Sequence, residues 1–249
     1  MTTTKLGRPE AVHELTELSG LWKRTLLIDS TGHRDEASDV SWLQACSAFV
    51  DVRQPVDRPL FADVNGGRAL NARQRGWIHS QQGFAGTLVV SGGIYEWRRA
   101  IDLHPPPATP DACHLVFDGD VLVETGHRRD YVERWLRAGP AAQPEWAMHL
   151  QGHDGRTALL ARVGNAFGWA RGRPYQMTAH DHFLDCEYAI GLVEGSVWRI
   201  TTSTLPFREG ADLGPRLAAG GVTSADVTEN GRGIRAQWAV RATEGTVRL

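Results

Sequence analysis

The densest group of chemistry-bearing residues is His180-Asp181-His182, followed by Asp185, Cys186 and Glu187. Two histidines separated by one residue on a strand point to the same face, where both imidazoles can reach one metal ion. Glu187 is then a third ligand, in a zinc set or in the two-histidine, one-carboxylate set of non-haem iron. The stretch follows Pro174 and Met177 and also reads as a polar loop entering a strand. No resident metal or organic cofactor is expected; His180, His182 and Glu187 are the ligands if a metal is held. His149 and His153 flank Gly152 beside an Asp154-Gly155 turn, where a hairpin sends them apart. Glu124, His127, Tyr131 and Glu133 lie beyond a strand end. A carboxylate, an imidazole and a phenol at a barrel rim can exchange protons with a substrate, which makes Glu124, His127 and Tyr131 the candidate catalytic residues. The same residues suit a plain polar rim.

Charges also fall within strands. Asp51 and Arg53 share a face with Phe49, and Glu96, Arg98 and Asp102 lie opposite Tyr95, Trp97 and Ile101. Facing solvent, they carry no information. Facing a barrel interior, they must pair, because unpaired buried charge is costly, and an Asp–Arg pair there suits a polar or carboxylate-bearing ligand. The expected ligand-binding pocket has Trp42, Tyr95 and Trp97 as walls, with Gln44, Arg53 and Glu124 as anchors. Strict alternation puts Arg53 opposite Trp42, so a bulge near residues 45–48 is needed to turn it inward. No serine nucleophile elbow, phosphate-binding glycine loop or dinucleotide fingerprint is present.

The elements that must hold these residues are strands. Asp118-Gly119, Asp154-Gly155, Gly164-Asn165, Glu194-Gly195 and Asn230-Gly231 sit between short alternating runs. Each supplies the positive φ that a tight hairpin needs, so the fold class is all-β, an antiparallel, meander-like barrel. Roughly a dozen strands exceed the eight of a minimal barrel, which implies an enlarged barrel or a duplicated one. Residues 40–53 read as one long strand, and residues 87–103 as a hairpin about Gly92-Gly93. Helix is expected near residues 10–18, where Val12, Leu15 and Leu18 share a face, and near 71–80 and 130–137. Residues 138–144 are the best internal boundary, giving halves 1–140, with the leading helix, and 141–249, or one continuous domain.

Composition narrows the partners. In 249 residues, 27 basic and 29 acidic side chains leave a net charge of -2, with no basic run to attract nucleic acid. Apolar runs are too short for a membrane-spanning helix, and residues 1–10 lack the apolar core of a secretory signal. Cys46, Cys113 and Cys186 are odd in number and widely spaced, which suggests reduced thiols and a cytoplasmic location. Nine tryptophans against four tyrosines supply large apolar surfaces for core plugs or pocket walls.

A leading helix followed by Gly20-Leu21-Trp22 resembles the G-x-W opening of lipocalin-like (calycin) barrels. The resemblance implies that Trp22 closes the barrel base and that an arginine of the last strand, Arg235 or Arg241, stacks on it. Phe117-Asp118-Gly119-Asp120, Glu124-Thr125-Gly126 and Tyr131-Val132-Glu133-Arg134-Trp135 are similar to part of a little-characterised fungal family of lipocalin-like barrels. Neither resemblance implies an activity. The leading expectation is small-molecule binding in an aromatic-lined cavity. The alternatives are a cofactor-independent isomerase, cyclase or hydrolase using the same cavity, and a filled barrel with a structural or interaction role. The sequence leaves oligomeric state open.

Overall fold

Tight turns of two or three residues organise the chain into antiparallel hairpins at the predicted turn dipeptides. The structure is a computed structural model and describes residues 14–106, 108–139, 141–174 and 184–249. Gly119, Gly155, Gly164, Gly195 and Gly231 adopt φ between 58° and 80°, where a side chain would be strained.

The first sheet contains β1 (Gly20–Ile28), β2 (Arg34–Asp35), β3 (Asp39–Ala45), β4 (Ala48–Gln54), β5 (Gln82–Ser91), β6 (Ile94–Asp102), β7 (Ala112–Asp118), β8 (Val121–Gly126) and β9 (Val132–Arg137). Neighbours in sequence are neighbours in the sheet. β1 pairs with both β3 and β9, so eight strands close into an antiparallel barrel with β2 on its outside. The second sheet contains β10 (Glu145–Gly152), β11 (Thr157–Val163), β12 (Ala166–Arg171), β13 (Glu187–Glu194), β14 (Val197–Ser203), β15 (Arg216–Ala218), β16 (Gly221–Val227) and β17 (Gly233–Gly245). Its order is β14-β13-β12-β11-β10-β17-β16-β15, a curled half-barrel. Leu213 bridges its open side: its amide donates to the Trp198 carbonyl, and its own carbonyl accepts from Ala225.

Three expectations need correction. Residues 40–53 are not one strand but the β3–β4 hairpin, turned at Cys46-Ser47, with Cys46 at a φ of 52°. No glycine marks this turn, which hid it. Residues 130–137 are not helical. They form β9, whose alternate residues Glu133 and Trp135 face inward while its backbone pairs with β8 and β1. The leading helix is, in its described part, one 3₁₀ turn, Leu15–Leu18; residues 10–13 lie outside the described residues. The helix expected at 71–80 is α1 (Ala72–Ser80). Asn71 accepts from the Gln74 amide while the Gln74 side chain accepts from the Asn71 amide, satisfying orphan donors at both ends of the first turn.

Three cores result. One fills the barrel and one fills the curl of the second sheet. The third lies between them, where Leu43, Val50 and Val52 of the barrel meet Ala147, Leu159, Ala161 and Ile190. Small residues let the two layers approach closely. A Cβ on Gly168 would come within 2.9 Å of Val50 Cβ.

Candidate binding site

Alternation decides what the barrel holds. In the β3–β4 hairpin, Trp42 pairs with Asp51 and Val40 with Arg53, and directly paired residues point the same way. Arg53 therefore faces inward with Trp42, and no bulge is required. The same rule turns Trp22 and Arg24 of β1, Tyr95, Trp97 and Arg99 of β6, Leu122 and Glu124 of β8, and Glu133, Trp135 and Arg137 of β9 to the inside. The interior then separates into two tiers.

The lower tier is aromatic and packed. Trp42 meets Trp97 edge-on at 4.8 Å, Trp22 at 5.7 Å and Trp135 at 5.7 Å between ring centroids, and Phe49 meets Trp97 at 4.9 Å. Gln44 is buried, accepting from Trp42 Nε1 and donating to the Cys46 carbonyl. Tyr95 is buried with no hydrogen-bond partner for its hydroxyl among the described residues, and burial pushes that hydroxyl up to about 12. The base is sealed by Leu18 and by Trp22, which donates to the Leu18 carbonyl. An arginine does stack on Trp22, but it is Arg137 of β9, 4.1 Å from the ring, not Arg235 or Arg241. β9 is the last strand of this barrel; β17 belongs to the other sheet. Arg235 bonds Gly214 and Thr223 there, and Arg241 bonds Gln151.

The upper tier is charged. Arg53 grips Asp51 with two bonds, 2.9 and 3.2 Å, and reaches Glu133 at 3.1 Å. Arg24 joins Glu133 at 2.9 Å and Asp35 at 2.6 Å. Arg99 sits over Phe84, its guanidinium carbon 3.6 Å from the ring centroid, and pairs with Asp102 and Asp111. Glu124 accepts from Tyr131 at 2.7 Å and from Trp135 Nε1 at 3.1 Å. Asp51, Glu124 and Glu133 are all buried, and Arg53 keeps 23 % of its side chain exposed. Burial, then the charge of Glu133, pushes the Glu124 carboxyl up to about 8. Burial also raises Asp51 against the opposing pull of Arg53, and burial followed by Glu124 raises the Tyr131 hydroxyl. One carboxylate oxygen of this tier, Glu133 Oε2, is buried without a partner among the described residues. Beside Arg99 and Asp102 the rim opens into a depression of about 500 Å³, which His104 and Arg173 also line.

No protein-family model matches the sequence, and no curated protein matches it. Among solved structures, the chain is similar to an uncharacterized protein, YLR301w, from Saccharomyces cerevisiae. The match has a TM-score of 0.55 at 15% identity and covers 90% of this chain and 98% of that one. At this identity the likeness is one of fold.

The remaining predicted residues are placed apart from this tier. His127 is exposed, with Nδ1 3.2 Å from His114 Nε2 on the rim, and does not join Glu124 and Tyr131. Glu96 and Arg98 pair with each other on the outer face. His180, Asp181 and His182 lie outside the described residues. Glu187 is buried in an ion pair with Arg208 at 3.2 Å. Among the described residues no three His, Cys, Asp or Glu side chains gather closely enough to hold a metal. Arg24, Arg99 and Asp111 were not singled out as site residues. Their signal was present: Trp22-Lys23-Arg24 and Trp97-Arg98-Arg99 each put a tryptophan and an arginine two residues apart, hence on one face.

Proposed function

We propose that the first barrel binds a small polar molecule at its charged mouth, above the aromatic floor. The observation that carries this reading is the buried tier of Asp51, Arg53, Glu124 and Glu133 with one orphaned carboxylate oxygen. A barrel built only for stability fills such space with apolar side chains, since buried ion pairs rarely out-stabilise them. Carboxylates outnumber guanidiniums in the tier, and the free group is an acceptor, so the favoured ligand brings hydrogen-bond donors. Its apolar part would rest towards Trp97 and Trp135. The sealed base, the Arg137–Trp22 contact and the polar mouth support a lipocalin-like reading of the barrel. Three free cysteines support a cytoplasmic location; no helix among the described residues is long and apolar enough to cross a membrane.

Native mass spectrometry of protein from its own cells, joined to calorimetric titration with amines, polyols and amides, tests the reading. Binding by wild type that Glu133→Gln or Arg53→Met weakens supports it. If nothing co-purifies and nothing titrates, the filled-barrel role replaces it. A second reading, acid–base catalysis on the bound molecule, is favoured by Glu124, a carboxyl protonated at neutral pH and bonded to a phenol. Conversion of the co-purified molecule by wild type and not by Glu124→Gln would distinguish catalysis from binding.

A further inference from the structure

A second site lies outside the barrel, in the groove where the barrel wall meets the second sheet. It is a cavity of about 270 Å³. Gly86, Ala100 and Ile101 line one side, and Leu150, Ala158 and Leu159 the other. His149 of β10 supplies the polar wall, with Gln151, Thr157 and Arg241 at the rim. Both walls carry irregular pairing at this place. The β5–β6 register shifts at Ala85/Gly86, and the β10–β17 register shifts at His149/Leu150. Bulges re-aim side chains and open backbone surfaces beside sites. A Cβ on Gly86 would lie 1.9 Å from the Arg98 carbonyl, so the barrel wall stays bare there.

The chemistry of His149 is set by what holds it. Its Nε2 is 2.9 Å from Glu244 Oε1. Glu244 is locked in turn by the Ser47 amide at 2.8 Å and the Ser47 hydroxyl at 2.7 Å. These hydrogen bonds, led by that of His149, outweigh burial and hold the Glu244 carboxyl below its ordinary value. A carboxylate only accepts, so Nε2 carries a proton, and in the neutral ring Nδ1 is the acceptor. Nothing among the described residues hydrogen-bonds that atom. An apolar cleft with an unpartnered imidazole acceptor on its wall favours an apolar molecule bearing one O–H donor.

We propose that this groove binds a small phenol or other apolar alcohol, its ring between Ile101 and Leu159 and its hydroxyl donating to His149 Nδ1. The site is distinct from the charged tier inside the barrel and lies beside the rim depression, with which it shares Ala100. The test is NMR of the His149 ring during titration with para-ethylphenol, and with para-ethylanisole, which keeps the ring and lacks the donor. The expected result is saturable binding of the phenol with a dissociation constant on the order of 1 mM, as a ligand of this size allows. The anisole should bind about tenfold more weakly, the usual worth of one good hydrogen bond. Thr157→Trp, at an exposed rim position, should block the phenol, and His149→Phe should bind phenol and anisole alike. Three results overturn the proposal: no saturation of wild type by about 10 mM phenol, equal affinity for the two probes, or phenol binding that survives Thr157→Trp. Binding abolished by Arg53→Met and untouched by Thr157→Trp would place the phenol at the barrel mouth and overturn it too.

Discussion

Burial keeps a proton on Glu124 at neutral pH in the folded protein, while the unfolded chain has already released it. With the folded carboxyl at about 8 and its ordinary value at 4.5, the associated stability is greatest below 4.5. It declines as pH rises towards 8 and is level above. Glu124→Gln keeps both partners, accepting from Trp135 and donating to the Tyr131 oxygen, and removes the titration. The variant should therefore gain stability relative to wild type between about pH 5 and pH 8. Melting curves recorded across that range check this, and a constant difference between the two proteins would sink it. At the barrel base, Trp22→Ala should cost about 3–5 kcal/mol, the range for truncating a core aromatic. Arg137→Met should cost about 1–2 kcal/mol, since its cation–π contact and its bonds to the Glu17 and Ser19 carbonyls are partly exposed. Urea denaturation measures both, and a Trp22 substitution without effect would remove the argument for a sealed base.

At the scale of elements, the turn at Cys46-Ser47 fixes which side chains enter the barrel. Cys46 holds a positive φ without being glycine. Cys46→Val should lower stability by about 1–2 kcal/mol, because a β-branched residue is poorest in that region. Cys46→Asn should be neutral or slightly stabilising, and the reverse order in chemical denaturation would contradict this account. The same turn explains what could be read from sequence. Hairpins marked by glycine, such as those at Gly92-Gly93 and Gly119, were legible, as was α1 with its Asn71 cap. The Cys46 turn carried no such mark, so Arg53 was assigned to the wrong face of a strand that does not exist. β9 was missed for a related reason. Its inward residues Glu133 and Arg137 are charged, and a strand whose buried face is ionic looks like an exposed helix. Only the partners on other strands reveal it. Amide exchange offers a check: β9 amides should be among the slowest, being paired on both sides, whereas a surface helix would exchange early.

The whole molecule depends on the dry layer between barrel and half-barrel. Small residues on both faces make that layer tight, so Gly168→Leu should cost about 1–3 kcal/mol by overpacking against Val50 and Leu43. Chains divided between residues 140 and 141 should aggregate or remain partly unfolded when made separately, since each would expose the face carrying Val50 and Val52 or Leu159 and Ile190. Two well-folded monomeric pieces would show the halves to be autonomous.

The crossing of indole rings inside the barrel also gives the protein an optical signature. Trp22, Trp97 and Trp135 each stand against Trp42, the first stacked and the other two nearly perpendicular, so their electronic transitions mix through it. The far-ultraviolet dichroism should show a paired positive and negative band from this mixing, superimposed on the weak β-sheet signal. Trp42→Phe, which removes the ring common to the contacts, should erase it while leaving the sheet signal in place. The emission of the barrel should report the state of that cluster as one unit, because light absorbed by any of the four rings is shared among them before it is lost.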